Sequence, residues 1–384
     1  MALASYSGWA SYDAPNAAHL DLSDELSAVL NADTAMLGRI PTGGVATNVD
    51  HYWVNETLNA ATITLNEGAE LTATDTTLTI VSNSAPRVGD LLMDEAIGKQ
   101  EVMQVITVTN ATTLEVVRGV GDSAPAGEVH AAGAVLRVIG SPVQEGDAGV
   151  ADRTVARTRI HNACQIFKKE VEISGTQQAI RLAGVPDEYN HQLAMRMLQL
   201  RRELGQTVIL GVKITSSGAG GSDSVYRSMD GIRNFTRANS SQLVTTSEAL
   251  GEGVVNNLAR LIYNQGGEYN FALGAADQMT KFSELHKDKV RLAPSEKMRG
   301  VFVNKFLTDL GVEIDLIIDR WALKGDLIIG DQGRLKLVPL QGRALQGTPL
   351  AKTGDAMRGM IVGEYTLEVR NAAQCFALHS GLTA

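Results

Sequence analysis

Cysteine is almost missing from this chain. Cys164 and Cys375 are the only two in 384 residues. They lie far apart and share no motif, which argues against a disulfide framework and makes each a small buried hydrophobe. Long apolar runs are missing as well: Val208–Leu210 and Leu327–Ile329 are typical of the longest, far below the ~20 residues a membrane-crossing helix needs. The first residues, "MALASYSGWASYDAPN", have neither a basic start nor a continuous apolar stretch. No signal peptide is therefore expected, and the protein is expected to stay where it is made or to leave by cell lysis.

Clustered positive charge is also lacking. Residues 1–60 carry seven acids against one base, and residues 61–140 carry ten against four. The remaining 244 residues hold 26 acids and 29 bases, so the overall charge of −9 sits in the first third of the chain. Binding to nucleic acid depends on grouped Lys and Arg that displace counterions from phosphates. A protein of this kind near DNA is expected to line the space rather than grip the strand.

Catalytic signatures are equally scarce. There is no GxSxG, HExxH or catalytic-cysteine pattern, and the seven histidines are scattered singly. "SGAGGSD" (217–223) lacks the Lys-Ser/Thr of a phosphate-binding loop and the spacing of a dinucleotide loop and reads as a surface loop. "HNAC" (161–164) offers only two metal-ligand types, three residues apart on a strand, where side chains face opposite ways. Asp315 and Asp319, in "EIDLIID", have the residue type for paired acid–base work, yet a strand with one wet face explains the alternation equally well. Four Asn-x-Ser/Thr sites, without a secretory route, are coincidental. No cofactor, metal or catalytic residue is assigned, and the chain is expected not to be an enzyme.

What the chain does contain is packing pattern. With 44% hydrophobic and 20% charged residues it can build a core, and its length suggests two or three domains. Residues 1–40 read as an arm with one short helix at "SDELSAVLNA" (23–32), capped by Ser23. Between residues 60 and 140, six short β-branched runs are separated by turn signals at even spacing, the mark of a small sandwich or barrel. On either side, "NVDHYWVNETLN" (48–59) and "RTVARTRIHNACQIFKKEVEISGT" (153–176) alternate as a two-stranded antiparallel arm would. Such a hairpin is barely stable alone and needs a surface to lie on, supplied by the rest of the chain or by a neighbour.

The longest helix pattern runs over 187–210. Pro186 suits its first turn, Asp187 and Glu188 complement the N-terminal dipole, and Gly205 or Gly211 offers a stop. Leu193, Met197, Leu200 and Leu204 form one continuous stripe, the packing face of a structural beam. Beyond it, "TTSEALGEGVVNNLARLIYNQGG" (245–267) reads as a second helix. Strand-like runs recur at "YNFALGA", "GVFVNKFLTDLGVEIDLIID", "DLIIGD", "LKLVPL" and "EYTLEVRN". The body is α+β.

This order resembles the tailed-phage major capsid proteins of the Hong Kong-type (Johnson) fold, in the form with a β-domain inserted in the extended loop. "YWVNETL" (52–58) resembles the family's aromatic-acidic outgoing strand. "RVGDLL…AVLRVIG" resembles its inserted domain, and "EGDAG" with "NACQIFKKEVEISGTQQAI" its returning strand. "LIIGDQGRLKLVPL" and "LAKTGDAMRGMIVGEYTLEVRNAAQCFALHSGL" resemble the closing strands. Ala163 and Cys164 depart from the aromatic and polar residues more usual there.

The resemblance implies an N-terminal arm at 1–40, an extended loop at 41–59 and 141–176, an all-β insertion domain at 60–140, and peripheral and axial domains at 177–384 with a spine helix at 187–210. It places Tyr52, Trp53, Ile166 and Phe167 in subunit contacts and Leu193, Met197, Leu200 and Leu204 in the spine-helix core. It further implies a homo-oligomer of hexamers and pentamers forming an icosahedral head shell. The shell would be made in the host bacterial cytoplasm and found in the virion. It would enclose double-stranded DNA without sequence-specific binding or a membrane, alongside decoration, portal and separate scaffold proteins. A competing reading is a β-rich ligand-binding or adhesive surface protein with 60–140 as its active module.

Overall fold

The computed structural model describes residues 33–81, 86–121, 127–143, 145–146, 155–180, 187–214, 226–285, 305–352 and 354–383. The short helix expected at 23–32, the loop at 217–223 and Pro186 lie outside these residues. Two compact units are present. One joins the chain up to Trp53 with everything from Arg159 onward; the other is Val54–Thr158.

At the centre of the first unit is a six-stranded mixed sheet. Its order is Leu243–Val244, Phe376–Ser380, Asp326–Gly330, Phe271–Gly274, Glu313–Ile318 and Lys305–Leu307. Phe271–Gly274 pairs parallel with Glu313–Ile318 and antiparallel with Asp326–Gly330. The two central strands are buried at every position, as strands covered on both faces must be, which is why they read as unbroken apolar runs. Their alternation divides two cores. Phe271, Leu273, Ile328, Phe376 and Leu378 face one; Ala272, Leu327, Ile329 and Ala377 face the other. Helix Glu252–Asn264 closes the second core with Val254, Val255, Leu258, Ala259 and Ile262 on one face. This helix begins seven residues later than the expected 245. Glu248 and Ala249 instead pair parallel with Leu382 and Thr383, so extended backbone takes residues that the pattern alone assigns to a helix.

The second sheet is built on the 14-residue strand Ala356–Val369, which pairs antiparallel with Leu335–Pro339, Gln346–Pro349 and Gln165–Ser174. The expected arm segment 153–176 is therefore divided. Thr158–Ala163 pairs with Asp50–Asn55 in a two-stranded ribbon, whereas Gln165–Ser174 pairs residue by residue with Tyr365–Ala356 of the same unit. The division has a clear cause: Phe167, Val171 and Ile173 are apolar at alternate positions and bury against that sheet.

The long helix, Glu188–Leu210, lies against this sheet. Asp187 is its cap: the side chain accepts from the N–H groups of Tyr189 at 3.0 Å and Asn190 at 3.3 Å. The helix thus starts one residue after the expected 187. It ends at Gly211, whose N–H donates to the Thr207 carbonyl at 2.8 Å. Gly205 does not stop it. A Cβ there would lie 2.5 Å from Thr34 Cγ2, so this glycine lets the chain before the first strand cross the helix closely. Leu200 and Leu204 are buried and Leu193 and Met197 half-buried in the shared core.

The crossing segment is fastened at several points. Met36 is fully buried, and its N–H donates to Asp319 Oδ2 at 3.0 Å. Trp321 Nε1 donates to the Asp33 carbonyl at 2.8 Å. Arg39 pairs with Asp315 at 3.1 Å, and Thr42 and Ala46 form parallel bridges to Leu337 and Leu340. The wet face expected for "EIDLIID" is confined to its first half, because Asp319 is only 2% exposed.

In the second unit, six antiparallel strands run in the order Thr62–Thr64, Val135–Gly140, Leu91–Asp94, Val102–Asn110, Thr113–Val117 and Thr77–Thr79. A Leu65–Ile80 bridge joins the first strand to the last. It is supported by Asn66 N–H to the Thr79 carbonyl at 2.9 Å and Val81 N–H to the Thr64 carbonyl at 3.0 Å. The sheet is thereby closed into a small barrel, which leaves no open edge. Leu65, Leu78, Ile80, Leu92, Met103, Leu114 and Leu136 fill it.

Candidate assembly surfaces

The ribbon of Asp50–Asn55 and Thr158–Ala163 is where the chain leaves the first unit and returns to it. Period-two alternation sorts its side chains. Trp53 and Asn55 are buried, whereas Tyr52 is 48% and Val54 55% exposed. Trp53 packs on Phe235 with ring centroids 5.9 Å apart. Asn162 ties the returning strand down: its amide donates to the Leu367 carbonyl at 2.8 Å and the Asp230 carbonyl at 3.2 Å, and its oxygen accepts from Asp230 N–H at 2.8 Å.

The outer face carries a stacked ladder. The His161 ring lies 5.1 Å from the Tyr52 ring at 26°, and the Arg159 guanidinium sits 5.1 Å from the same ring, within cation–π range. Apart from that ring, Arg159 has no charged partner among the described residues.

The expected contact residues therefore fall into two groups. Trp53 and Phe167 belong to the interior, with Phe167 only 4% exposed, and Tyr52 and Ile166 reach the surface, with Ile166 46% exposed. The sequence reading named all four without separating them. It also missed Arg159 and Asn162, which carry no signal beyond their place on a strand.

"HNAC" resolves into two unrelated tasks. His161 stacks on Tyr52, and the Cys164 thiol donates to the Asn48 carbonyl at 3.5 Å. Burial, reinforced by the Glu364 carboxylate, pushes that thiol up to about 11, and burial likewise raises Cys375; both are neutral hydrophobes at neutral pH. Among the described residues no three His, Cys, Asp or Glu side chains are grouped to hold a metal. Asp315 and Asp319, fastened to Arg39 and to the Met36 and Trp321 N–H groups, are anchors rather than an acid–base pair.

A groove of about 390 Å³ opens at the other end of strand Gln165–Ser174, where it meets the first turns of the long helix; Glu170, Glu172, Glu188, Gln192 and Arg196 line it. Glu172 pairs with Arg358 at 2.6 Å and Glu170 with Lys168 at 2.6 Å. Among the described residues Glu188 has only the Gln192 amide, at 2.6 Å.

Inside the barrel lies a charged cluster that no local sequence pattern announces. Glu101 is fully buried. It accepts from Arg118 Nε at 3.1 Å, Gly127 N–H at 3.2 Å and Glu128 N–H at 3.0 Å. His130, also fully buried, bridges Glu101 at 3.2 Å and Asp94 at 2.6 Å. Burial alone would raise the Glu101 pKa; the Arg118 guanidinium, the two backbone N–H groups and His130 outweigh it and hold the carboxyl at about 2.

These features define a class. A body braced by one long helix, a ribbon with an exposed aromatic–cationic face, and acids used as fasteners describe a structural protein that works by contact. The chain belongs to the SU10 major capsid protein family, whose profile matches residues 8–383. It is a major capsid protein that forms the icosahedral head shell of a tailed phage, a component of the virion capsid and not an enzyme. The reading of the chain as a β-rich ligand-binding or adhesive surface protein is set aside by this match.

The fold is similar to that in a structure from Microbacterium phage Oxtober96, with 12% identity, a TM-score of 0.50, and coverage of 97% of this chain and 98% of that one. A structure from Mycobacterium phage Adephagia matches with 10% identity and a TM-score of 0.49 over 97% and 98% of the two chains. The capsid of a native GTA particle matches with 10% identity and a TM-score of 0.48 over 96% of each. Comparison with curated protein sequences finds no match.

Proposed function

We propose that the subunit closes head to tail into rings of five and six, which tile the shell, and that its ribbon orders across the adjoining copy. In this reading residues 41–59 and 141–176 act as the extended loop, 60–140 as the inserted β-domain, and 1–40 as the arm. Residues 177–384 supply the peripheral and axial domains, with 187–210 as the spine helix. The observation that carries it is the ribbon: two strands paired, among the described residues, only with each other, in which Trp53 and Asn162 fasten to the first unit while Tyr52 and Val54 stand exposed. Large exposed apolar side chains grouped on one face mark an interaction surface.

Identical heterologous contacts close into rings when the rotation between copies closes. Each contact is modest, and several per subunit make the shell stable while errors during growth remain reversible. The acidic arm, including Asp21, Asp24 and Glu25 outside the described residues, would face inward. It would keep packaged DNA mobile, its field fading over ~8 Å at physiological salt. The barrel would sit outward, reinforcing neighbours or receiving a decoration protein; portal and scaffold proteins would be separate partners.

Size-exclusion chromatography and electron microscopy of the purified full chain test this. Rings or megadalton particles are expected, and a monomer at every concentration would refute it.

A further inference from the structure

We infer that the exposed Arg159–Tyr52–His161 ladder of one copy docks into the groove at the foot of the long helix of the next, with Arg159 meeting Glu188. This rests on the head-to-tail reading above and names the surfaces that such a contact joins.

Three observations converge. First, the ladder presents a guanidinium whose only partner among the described residues is an aromatic face, held on a ribbon that buries its other side. Second, the groove of about 390 Å³ is of a size that admits ring-sized groups. It offers in Glu188 a carboxylate with no cation beside it among the described residues, while Glu170 and Glu172 already have theirs. Arg159 and Glu188, both on the same unit and both without an ion-pair partner among the described residues, are opposite in charge, and such pairs fix the register of an interface.

Third, the two surfaces cannot meet within one copy. His161 lies just before strand Gln165–Ser174 and the groove lies at that strand's far end. The strand is pinned along its whole length to Ala356–Tyr365. Its ten residues span about 30 Å at ~3.3 Å per residue. A contact between opposite ends of one strand joins two different surfaces of the subunit, and its head-to-tail repetition closes a ring when the rotation between copies closes.

The test uses the full chain. In Tyr52→Cys with Gln192→Cys, mild oxidation of particles should give a ladder of covalent multimers on a non-reducing gel; the native Cys164 and Cys375 are buried. Arg159→Glu sets two carboxylates against each other and Glu188→Lys two cations. Each should lower particle yield roughly tenfold or more, because juxtaposed like charges suppress association. Arg159→Glu combined with Glu188→Lys should restore it, which separates a lost contact from a misfolded subunit. Particles that form without cross-links, or a double variant no better than either single one, would overturn the contact while leaving ring assembly intact. Absence of particles from the unaltered chain would overturn both.

Discussion

Replacing Glu101 by glutamine removes one charge from the interior of the barrel and leaves the others in place. Arg118, whose side chain is 7% exposed, loses its counter-ion, and His130 keeps only Asp94. Removing one partner of a buried ion pair typically costs about 3–5 kcal/mol, and Arg118 is left with the neutral carbonyls of Thr72, Asp75 and Glu128. The titration of Glu101 gives a second route to the magnitude. A carboxyl held at about 2 against an ordinary 4.5 stabilises the folded barrel at neutral pH by about 3 kcal/mol, at ~1.4 kcal/mol per tenfold in proton affinity.

The sign follows from the depressed value. The contribution is complete above pH 4.5 and is lost as pH falls from there towards 2. Hydrogen exchange of barrel peptides around Leu92, Met103 and Leu136, measured in the full chain, should therefore show the barrel opening about 3 kcal/mol more easily in Glu101→Gln. For a unit of roughly 100 residues this corresponds to a melting temperature lower by about 12 °C or more. The wild-type barrel should weaken between pH 4.5 and 2, and the variant should lack that part of the slope. A loss below about 1 kcal/mol, or an unchanged acid slope in the variant, would show that the cluster does not hold the barrel together.

Three further outcomes are expected. Leu200→Asp places a charge at a site 1% exposed, at a cost of several kcal/mol, and should abolish soluble, assembly-competent protein; normal particles by sedimentation and microscopy would count against the beam role of the helix. Asp319→Ala leaves the Met36 and Trp321 N–H groups without their acceptor, a loss of about 1–3 kcal/mol. It should release residues 33–40 in hydrogen exchange with the barrel unaffected, and full protection there would contradict the anchoring. Deletion of 61–140 with a short linker should leave a foldable body but weaker shells, and shells of unchanged thermal stability would show the barrel to be dispensable for cohesion.

Local pattern made much of this fold legible. The long helix announces itself through Asp187, Glu188 and the stripe from Leu193 to Leu204, because cap and periodicity agree. The barrel strands are short β-branched runs between turn residues, and only the Leu65–Ile80 closure, a contact distant in sequence, needed coordinates.

The strand Ala356–Val369 shows why pattern fails elsewhere. Its first half, "AMRGMIVG", contains Gly359 and Gly363, which lower strand propensity. A Cβ at Gly359 would lie 2.1 Å from the Tyr189 hydroxyl, so tertiary packing chose this residue against local preference. Helices Ile232–Arg237 and Ala276–Leu285 went unread because six to ten residues hold too few turns for a period to emerge. Among the contact residues, alternation could have separated Tyr52 from Trp53, but nothing local brings Arg159 to the Tyr52 ring. The acids of the barrel cluster are legible only once Asp94, Glu101, Arg118 and His130 are seen on neighbouring strands and turns.

In the proposed shell the ribbon acts between copies. A cryo-electron microscopy reconstruction of particles assembled from the full chain measures it most directly. A closed shell is expected in which the outer face carrying Tyr52, Arg159 and His161 is covered by an adjoining subunit. A shell in which that face of every copy is left bare to solvent would contradict it.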